Sequence, residues 1–303
     1  MALLANTRCA CDGICYQCRS TGHFFVDTAG FDERTWDGPR KNPVNCVLAG
    51  KRAIVTGGGR GIGEAIAVAL AGSGCSVLVA GRTATHIERV ADQIRNLGQD
   101  SLAVVCDVAD PQSVEALFRT AQQRWEKLDI LVNNAGQSHS ELLVRLTLET
   151  WKRMLDVNLT GTFLCSQAAL RWMLPRKSGR IINIASSAAL IGFRYAGAYA
   201  AAKHGVLGLT RSMALETATS GITVNAVCPG WVETDMVQNA VETISAKTGM
   251  KPDQAREILA NESPQKRILQ PEEVATAVLW LASDEAQGIT GQAINVSGGQ
   301  VMS

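Results

Sequence analysis

The chain lacks an excess of charge of either sign. Its 29 Lys and Arg residues stand against 28 Asp and Glu, a net charge of +1 over 303 residues. That balance removes the electrostatic reason to expect nucleic acid or an anionic membrane surface as a partner. Apolar runs of the ~18–20 residues needed for a membrane-spanning helix are missing too, so no membrane association is expected. The N-terminal region has no apolar stretch of the kind a secretory signal carries. Asp12, Asp27, Asp32, Glu33 and Asp37 offset the basic residues there, against a mitochondrial transit peptide. The cytoplasm is the expected compartment.

Apolar residues make up 46% of the chain, enough for one large core plus an extension in preference to two domains. Short apolar runs at Arg52-Ala-Ile-Val-Thr56, Val77–Ala80, Leu102–Cys106, Ile130–Val132, Ile181–Ala185, Thr223–Val227 and Ala293–Val296 alternate with helical segments. This alternation predicts an α/β fold with a doubly wound, mostly parallel sheet of about seven strands and helices on both faces. A single domain is expected over 47–303, preceded by a cysteine-rich extension over 1–46 that is expected to be poorly ordered.

Five of the nine cysteines, Cys9, Cys11, Cys15, Cys18 and Cys46, fall in that extension. Cys11-Asp-Gly-Ile-Cys15-Tyr-Gln-Cys18 has the spacing of a three-cysteine iron–sulfur site, and Cys15, Cys18 and His23 match part of a zinc knuckle. Neither pattern is complete, and no metal is expected. Cys75, Cys106, Cys165 and Cys228 lie on segments that read as buried, where thiols act as small hydrophobes in a reduced compartment.

Tyr199-Ala-Ala-Ala-Lys203, with Ser186 upstream, carries the chemistry. Positions i and i+4 share a helix face, which sets the Lys203 ammonium beside the Tyr199 phenol. A cation ~4 Å away at an effective dielectric of ~20 favours phenolate by about 4 kcal/mol. That lowers a pKa of about 10 by roughly three, before desolvation subtracts some. The bland alternative is an ordinary amphipathic helix. The strand Arg52–Thr56 runs into Gly57-Gly58-Gly59-Arg60-Gly61-Ile62-Gly63, which opens an apolar-periodic helix. Strand, glycine turn and helix in that order bring backbone N–H groups to a pyrophosphate, so a dinucleotide site is expected.

With these motifs, the stretch from Val47 to Ser303 resembles the short-chain dehydrogenase/reductase family. The resemblance rests on Thr56-Gly-x-x-x-Gly61-x-Gly63, Asp107 after the third strand, Asn133-Asn134-Ala135-Gly136, Asn158, Ser186, Tyr199-x-x-x-Lys203, Pro229-Gly230 and Asn295-Val-Ser-Gly-Gly299. It implies a Rossmann-like fold and a catalytic set of Asn158, Ser186, Tyr199 and Lys203. Tyr199 would give its proton to a substrate carbonyl oxygen and Ser186 would donate a second hydrogen bond to it. Lys203 would lower the Tyr199 pKa and hold ribose hydroxyls. Asn158 would position a water behind the lysine; its alternative is a helix-kinking core amide. Ser187 competes with Ser186, but the spacing to Tyr199 favours Ser186. The implied cofactor contacts are Gly57, Arg60, Gly61, Ile62, Gly63, Arg82, Thr83, Asp107, Val108, Asn134, Ala135, Gly136, Tyr199, Lys203, Pro229, Gly230, Val232 and Thr234.

An acidic residue at the end of the second strand would bond the adenosine ribose and repel a 2′-phosphate. Here Gly81 stands at that position and Arg82 follows, with Thr83 and Arg60 nearby, so NADP(H) is the expected cofactor. The segment from Trp231 to Ile268, with Ser138, His139 and Leu190–Tyr195, should roof the substrate pocket. Its apolar character suits an acyl or alicyclic ketone better than a polyol. The motifs look like those of 3-oxoacyl-thioester reductases, whereas a long loop Thr248–Arg267 looks more like 3-hydroxyacyl dehydrogenase relatives. Lys177 fits one of two basic positions that grip a carrier protein, and Ser220 stands at the other. A 3-oxoacyl thioester of CoA or carrier protein is the expected substrate, with another apolar ketone or a sugar as the alternative. A non-catalytic dinucleotide-binding regulator and a metal-dependent interaction protein are the rival classes. The family implies a homotetramer.

Overall fold

A computed structural model describes residues 47–302. Seven strands form one sheet in the order β3-β2-β1-β4-β5-β6-β7, every neighbouring pair parallel. The strands are β1 Arg52–Thr56, β2 Ser76–Gly81, β3 Ser101–Val105, β4 Ile130–Asn133, β5 Gly179–Ile184, β6 Ile222–Pro229 and β7 Ala293–Val296. Each coincides with one of the apolar runs to within two residues, because strands buried on both faces need continuous apolar side chains. The cysteine-rich stretch and its incomplete metal patterns lie outside the described residues.

Helices cover both faces. They are α1 Gly61–Gly72, α2 Ala84–Asn96, α3 Pro111–Arg124, α4 Leu148–Leu155, α5 Gly161–Met173, α6 Gly197–Thr217, α7 Asp235–Thr248, α8 Pro252–Asn261 and α9 Pro271–Ala282. Side chains alternate across a strand, so β1 divides its residues between two cores. Ala53 and Val55 pack with Ile66 and Leu70 of α1 and Val274 and Val278 of α9. Ile54 packs on the other face with Leu117 and Phe118 of α3 and Cys165 and Ala169 of α5. Asp129 ties the N-terminal ends of the central strands together: it is 5% exposed, accepts from the Arg52 N–H at 2.9 Å and lies 3.3 Å from both Lys127 and Arg176.

The stretch expected as a long loop, Thr248–Arg267, contains α8. Pro252 starts that helix, and Ala255 and Leu259 pack against Val237 and Val241 of α7 with Trp231 and Ile268 beside them. The apolar content that suggested a pocket roof is therefore partly spent on holding a helix pair together. No helix among the described residues is long and apolar enough to cross a membrane. The strand order reverses between β1 and β4, which opens a crevice at the strands' C-terminal ends.

Candidate active site

The glycine turn forms one wall of this crevice. Gly57 and Gly61 have φ of +63° and +54°, a region that side chains with a Cβ enter at a cost. At Gly63 a methyl group would lie 2.2 Å from the Gly57 carbonyl oxygen and 2.4 Å from Asn134 Nδ2. The turn is fixed from β4: Thr56 Oγ1 accepts from the N–H groups of Asn134 and Ala135, both at 3.1 Å, and Asn134 Nδ2 donates to the carbonyls of Thr56 and Gly57, both at 3.0 Å. No side chain caps the start of α1, so Gly61, Ile62 and Gly63 present first-turn backbone N–H groups. A bare helix start behind a turn with no room for side chains fits a pyrophosphate.

The end of β2 supplies the next wall. A Cβ on Gly81 would meet Ile87 Cγ2 at 2.9 Å, whereas Arg82 and Thr83 are exposed. Arg82 lines a cavity of about 340 Å³ with Asp107, Ala109, Gln137 and the α4 residues Glu149, Lys152 and Arg153. Asp107 Oδ1 accepts from the Ala109 N–H at 3.0 Å, and Val108 packs over Gly161. A basic group and no acid at the β2 end fits a 2′-phosphate. Arg60 is engaged elsewhere: its guanidinium meets Asp235, the first residue of α7, at 2.5 Å, and both side chains are exposed. Pro229 ends β6 and Gly230 follows it, where the Gly230 N–H donates to the Val296 carbonyl at 3.0 Å. Val232 is buried, and Thr234 closes on the turn, its Cγ2 2.9 Å from where a Gly61 Cβ would sit.

Ser186, Tyr199, Lys203 and Asn158 gather at the C-terminal ends of β4 and β5. Ser186 follows β5 and caps the short turn Ser187–Ala189, its Oγ accepting from the Ala188 N–H at 3.1 Å. Ser187 is 3% exposed, so its hydroxyl is sequestered, whereas Ser186 remains half-buried. Tyr199 and Lys203 sit in the first two turns of α6. Lys203 is 4% exposed and donates to the Ile184 carbonyl at 2.8 Å, with Nζ 5.8 Å from the Tyr199 ring centroid.

That geometry corrects the expected electrostatics. Burial dominates at both groups: it pushes the Tyr199 phenol above its ordinary value, with the Ser186 hydroxyl pulling it partly back. Lys203 is driven down to about 8, again by burial, with the Cys228 thiol opposing the fall. The helical spacing placed the two on one face, but the ammonium turns to the end of β5 instead of the phenol oxygen. Desolvation then outweighs the attraction that a 4 Å pair would supply.

Asn158 occupies a π-helical turn, Asp156–Thr160, between α4 and α5, and is fully buried. Its Nδ2 donates to the carbonyls of Gln137 at 2.9 Å and Met154 at 3.0 Å, and its Oδ1 accepts from the Gln137 N–H at 3.2 Å. The helix-kinking core amide is the reading this geometry matches, since the amide sits in a helical irregularity with its bonds made to Gln137 and Met154. A Cβ on Gly136 would lie 2.8 Å from Asn158 Oδ1 and 3.6 Å from Lys203 Nζ, which places Gly136 between the two.

Sequence reasoning missed a buried polar chain beneath the site. Asn133 Nδ2 donates to Ser166 Oγ at 2.9 Å and Asn183 Oδ1 at 2.8 Å, and Asn183 Nδ2 donates to Thr210 Oγ1 at 2.8 Å. It ties β4 and β5 to α5 and α6. The available signal was an Asn interrupting the apolar run Ile181–Ala185, since a buried amide needs partners.

Comparison with known proteins agrees with this geometry. A family model described as enoyl-(acyl carrier protein) reductase matches residues 57–300. A 3-oxoacyl-[acyl-carrier-protein] reductase of Synechocystis is 43% identical over 257 residues, 84% of this chain and 98% of the relative. A putative ketoacyl reductase of the granaticin polyketide synthase of Streptomyces violaceoruber is 41% identical over 249 residues, 82% of this chain and 92% of the relative. Among solved structures, a variant of actinorhodin polyketide ketoreductase crystallised with NADPH superposes with a TM-score of 0.80 at 38% identity, covering 84% of this chain and 98% of that one. Seven parallel strands, the glycine turn, the tyrosine–lysine helix and these likenesses together show that the chain belongs to the short-chain dehydrogenase/reductase family.

Proposed function

We propose that the chain is a cytoplasmic NADPH-dependent ketoreductase acting on a 3-oxoacyl thioester and working as a homotetramer. The observation that carries this reading is the convergence of Ser186, Tyr199 and the buried Lys203 beside a pyrophosphate-shaped glycine turn. Bound NADPH supplies hydride. Burial keeps the Tyr199 phenol protonated near neutral pH, so it stands ready as the acid for the substrate oxygen. Ser186 donates a second hydrogen bond that fixes and polarises this oxygen. Lys203 replaces protons at Tyr199 and holds ribose hydroxyls, while Asn158 anchors the water path through the Gln137 backbone.

Arg82 at a β2 end without an acid supports NADPH over NADH, and the NADPH complex of the actinorhodin ketoreductase variant supports the same choice. The named activities of the Synechocystis and granaticin relatives support 3-oxoacyl thioesters. Lys177 is exposed, and its carbonyl lies 2.3 Å from where a Gly221 Cβ would sit, next in sequence to Ser220. The deciding experiment is a turnover screen with NADPH against acetoacetyl-CoA, carrier-bound acetoacetate, cyclic ketones and keto-sugars. Reduction of both thioesters is expected. Turnover confined to cyclic ketones or keto-sugars would overturn the substrate class, and absence of any turnover would overturn the enzyme reading.

A further inference from the structure

Arg89, in the second turn of α2, reaches across to the start of α1. Its guanidinium grips Glu64 with two bonds of 2.7 Å, Nη1 to Oε1 and Nη2 to Oε2, and Nη2 also donates to the Gly59 carbonyl at 3.2 Å. Three bonds from one side chain thus converge on the segment Gly59–Glu64, which holds the first-turn N–H groups of the anion site. Glu64 is the one acid in the first turn of α1. A carboxylate there suits the bare helix but opposes a bound anion, because both compete for the same positive end. The fork also fixes a peptide plane. With the Gly59 carbonyl held toward α2, the trans peptide turns the Arg60 N–H to the opposite side.

We propose that Arg89 is a positioning residue for dinucleotide binding: it orients the Gly59–Arg60 peptide and cancels the Glu64 charge, so that the turn is set for a pyrophosphate before one arrives. The inference rests on the dinucleotide reading of the turn. Arg89 acts on the part of the ligand common to NADPH and NADH, whereas Arg82 acts on the 2′-phosphate alone. The two arginines therefore have separable signatures.

Dissociation constants for NADPH, NADH and adenosine 2′-monophosphate, measured by calorimetry on the full-length protein, distinguish them. Arg89→Ala should weaken both dinucleotides by about tenfold and leave adenosine 2′-monophosphate, which has no pyrophosphate, unchanged. Adding Glu64→Gln to Arg89→Ala should recover about threefold of the loss, since the uncancelled charge is gone. Arg82→Ala should weaken NADPH and adenosine 2′-monophosphate and spare NADH. Should Arg89→Ala fold poorly by circular dichroism, Arg89→Lys tests the orienting part alone, because it keeps the charge that cancels Glu64 and loses the fork; a loss of about threefold for both dinucleotides is then expected. Unaltered dinucleotide binding in the folded variant overturns the inference, as does a loss confined to NADPH and adenosine 2′-monophosphate, which would make Arg89 a direct phosphate ligand. A wild-type protein that binds neither dinucleotide would overturn the cofactor reading itself, and this inference with it.

Discussion

At the scale of single residues, desolvation shifts two groups of the candidate site in opposite directions, the Tyr199 phenol up and the Lys203 ammonium down. Tyr199→Phe removes the proton and keeps the ring, so NADPH binding should persist while turnover falls by about 10²–10⁴. Near-normal turnover in that variant would remove Tyr199 from its role. Lys203 has a folded pKa near 8 against an ordinary 10.5. Between those values the unfolded chain binds more protons than the folded one, so stability rises with pH across that window. Below about pH 8 the buried ammonium is a standing cost. Lys203→Met removes the titration, so the wild type should gain on it in thermal midpoint between pH 7.5 and 9.5; parallel curves would contradict the shift. That both residues share one helix was legible from their four-residue spacing. The direction in which the lysine points was not, since it depends on a carbonyl nineteen positions away, at Ile184.

At the scale of elements, the readable signals were those with a short period. Continuous apolar runs located every strand, and the glycine turn located the start of α1, because both follow from local backbone and burial rules. The irregularity at Asn158 was readable only as the alternative of a helix-kinking amide; its π-helical form was not, because the amide reaches Gln137, a contact made only when the segment after β4 and α4 are already packed. Asn158→Ala would strip the Gln137 N–H and carbonyl of their side-chain partners, and a loss of about 1–3 kcal/mol is expected in chemical denaturation. An unchanged midpoint would show that the turn holds without its amide. The end of β2 allows a sharper test. Replacing Gly81 with Asp and Arg82 with Ser exchanges attraction for repulsion at one phosphate, so kcat/KM should shift from NADPH toward NADH. Equal effects on both cofactors would place the 2′-phosphate elsewhere. Asp at position 81 also has to displace Ile87, which makes Arg82→Ser alone the necessary control.

At the scale of the whole molecule, all the proposed chemistry falls within residues that begin at β1. Removing residues 2–45 should therefore leave kcat/KM and thermal midpoint close to those of the full chain, with and without chelator. A loss beyond about tenfold, equivalent to ~1.4 kcal/mol, would bring the cysteine-rich stretch into the active site. The strand order has a further consequence, one of timing. β1 finds β2 soon after synthesis, but its other neighbour pairs Ala53 with Ile130, on a strand made much later. At the usual ~5–20 residues per second, the Ala53–Val55 edge waits roughly 4–15 s on the ribosome with its amides and carbonyls unpaired. The same gap between β1 and β4 that opens the crevice in the finished protein is thus a seam whose strand edge stays open to mispairing while the chain is being made.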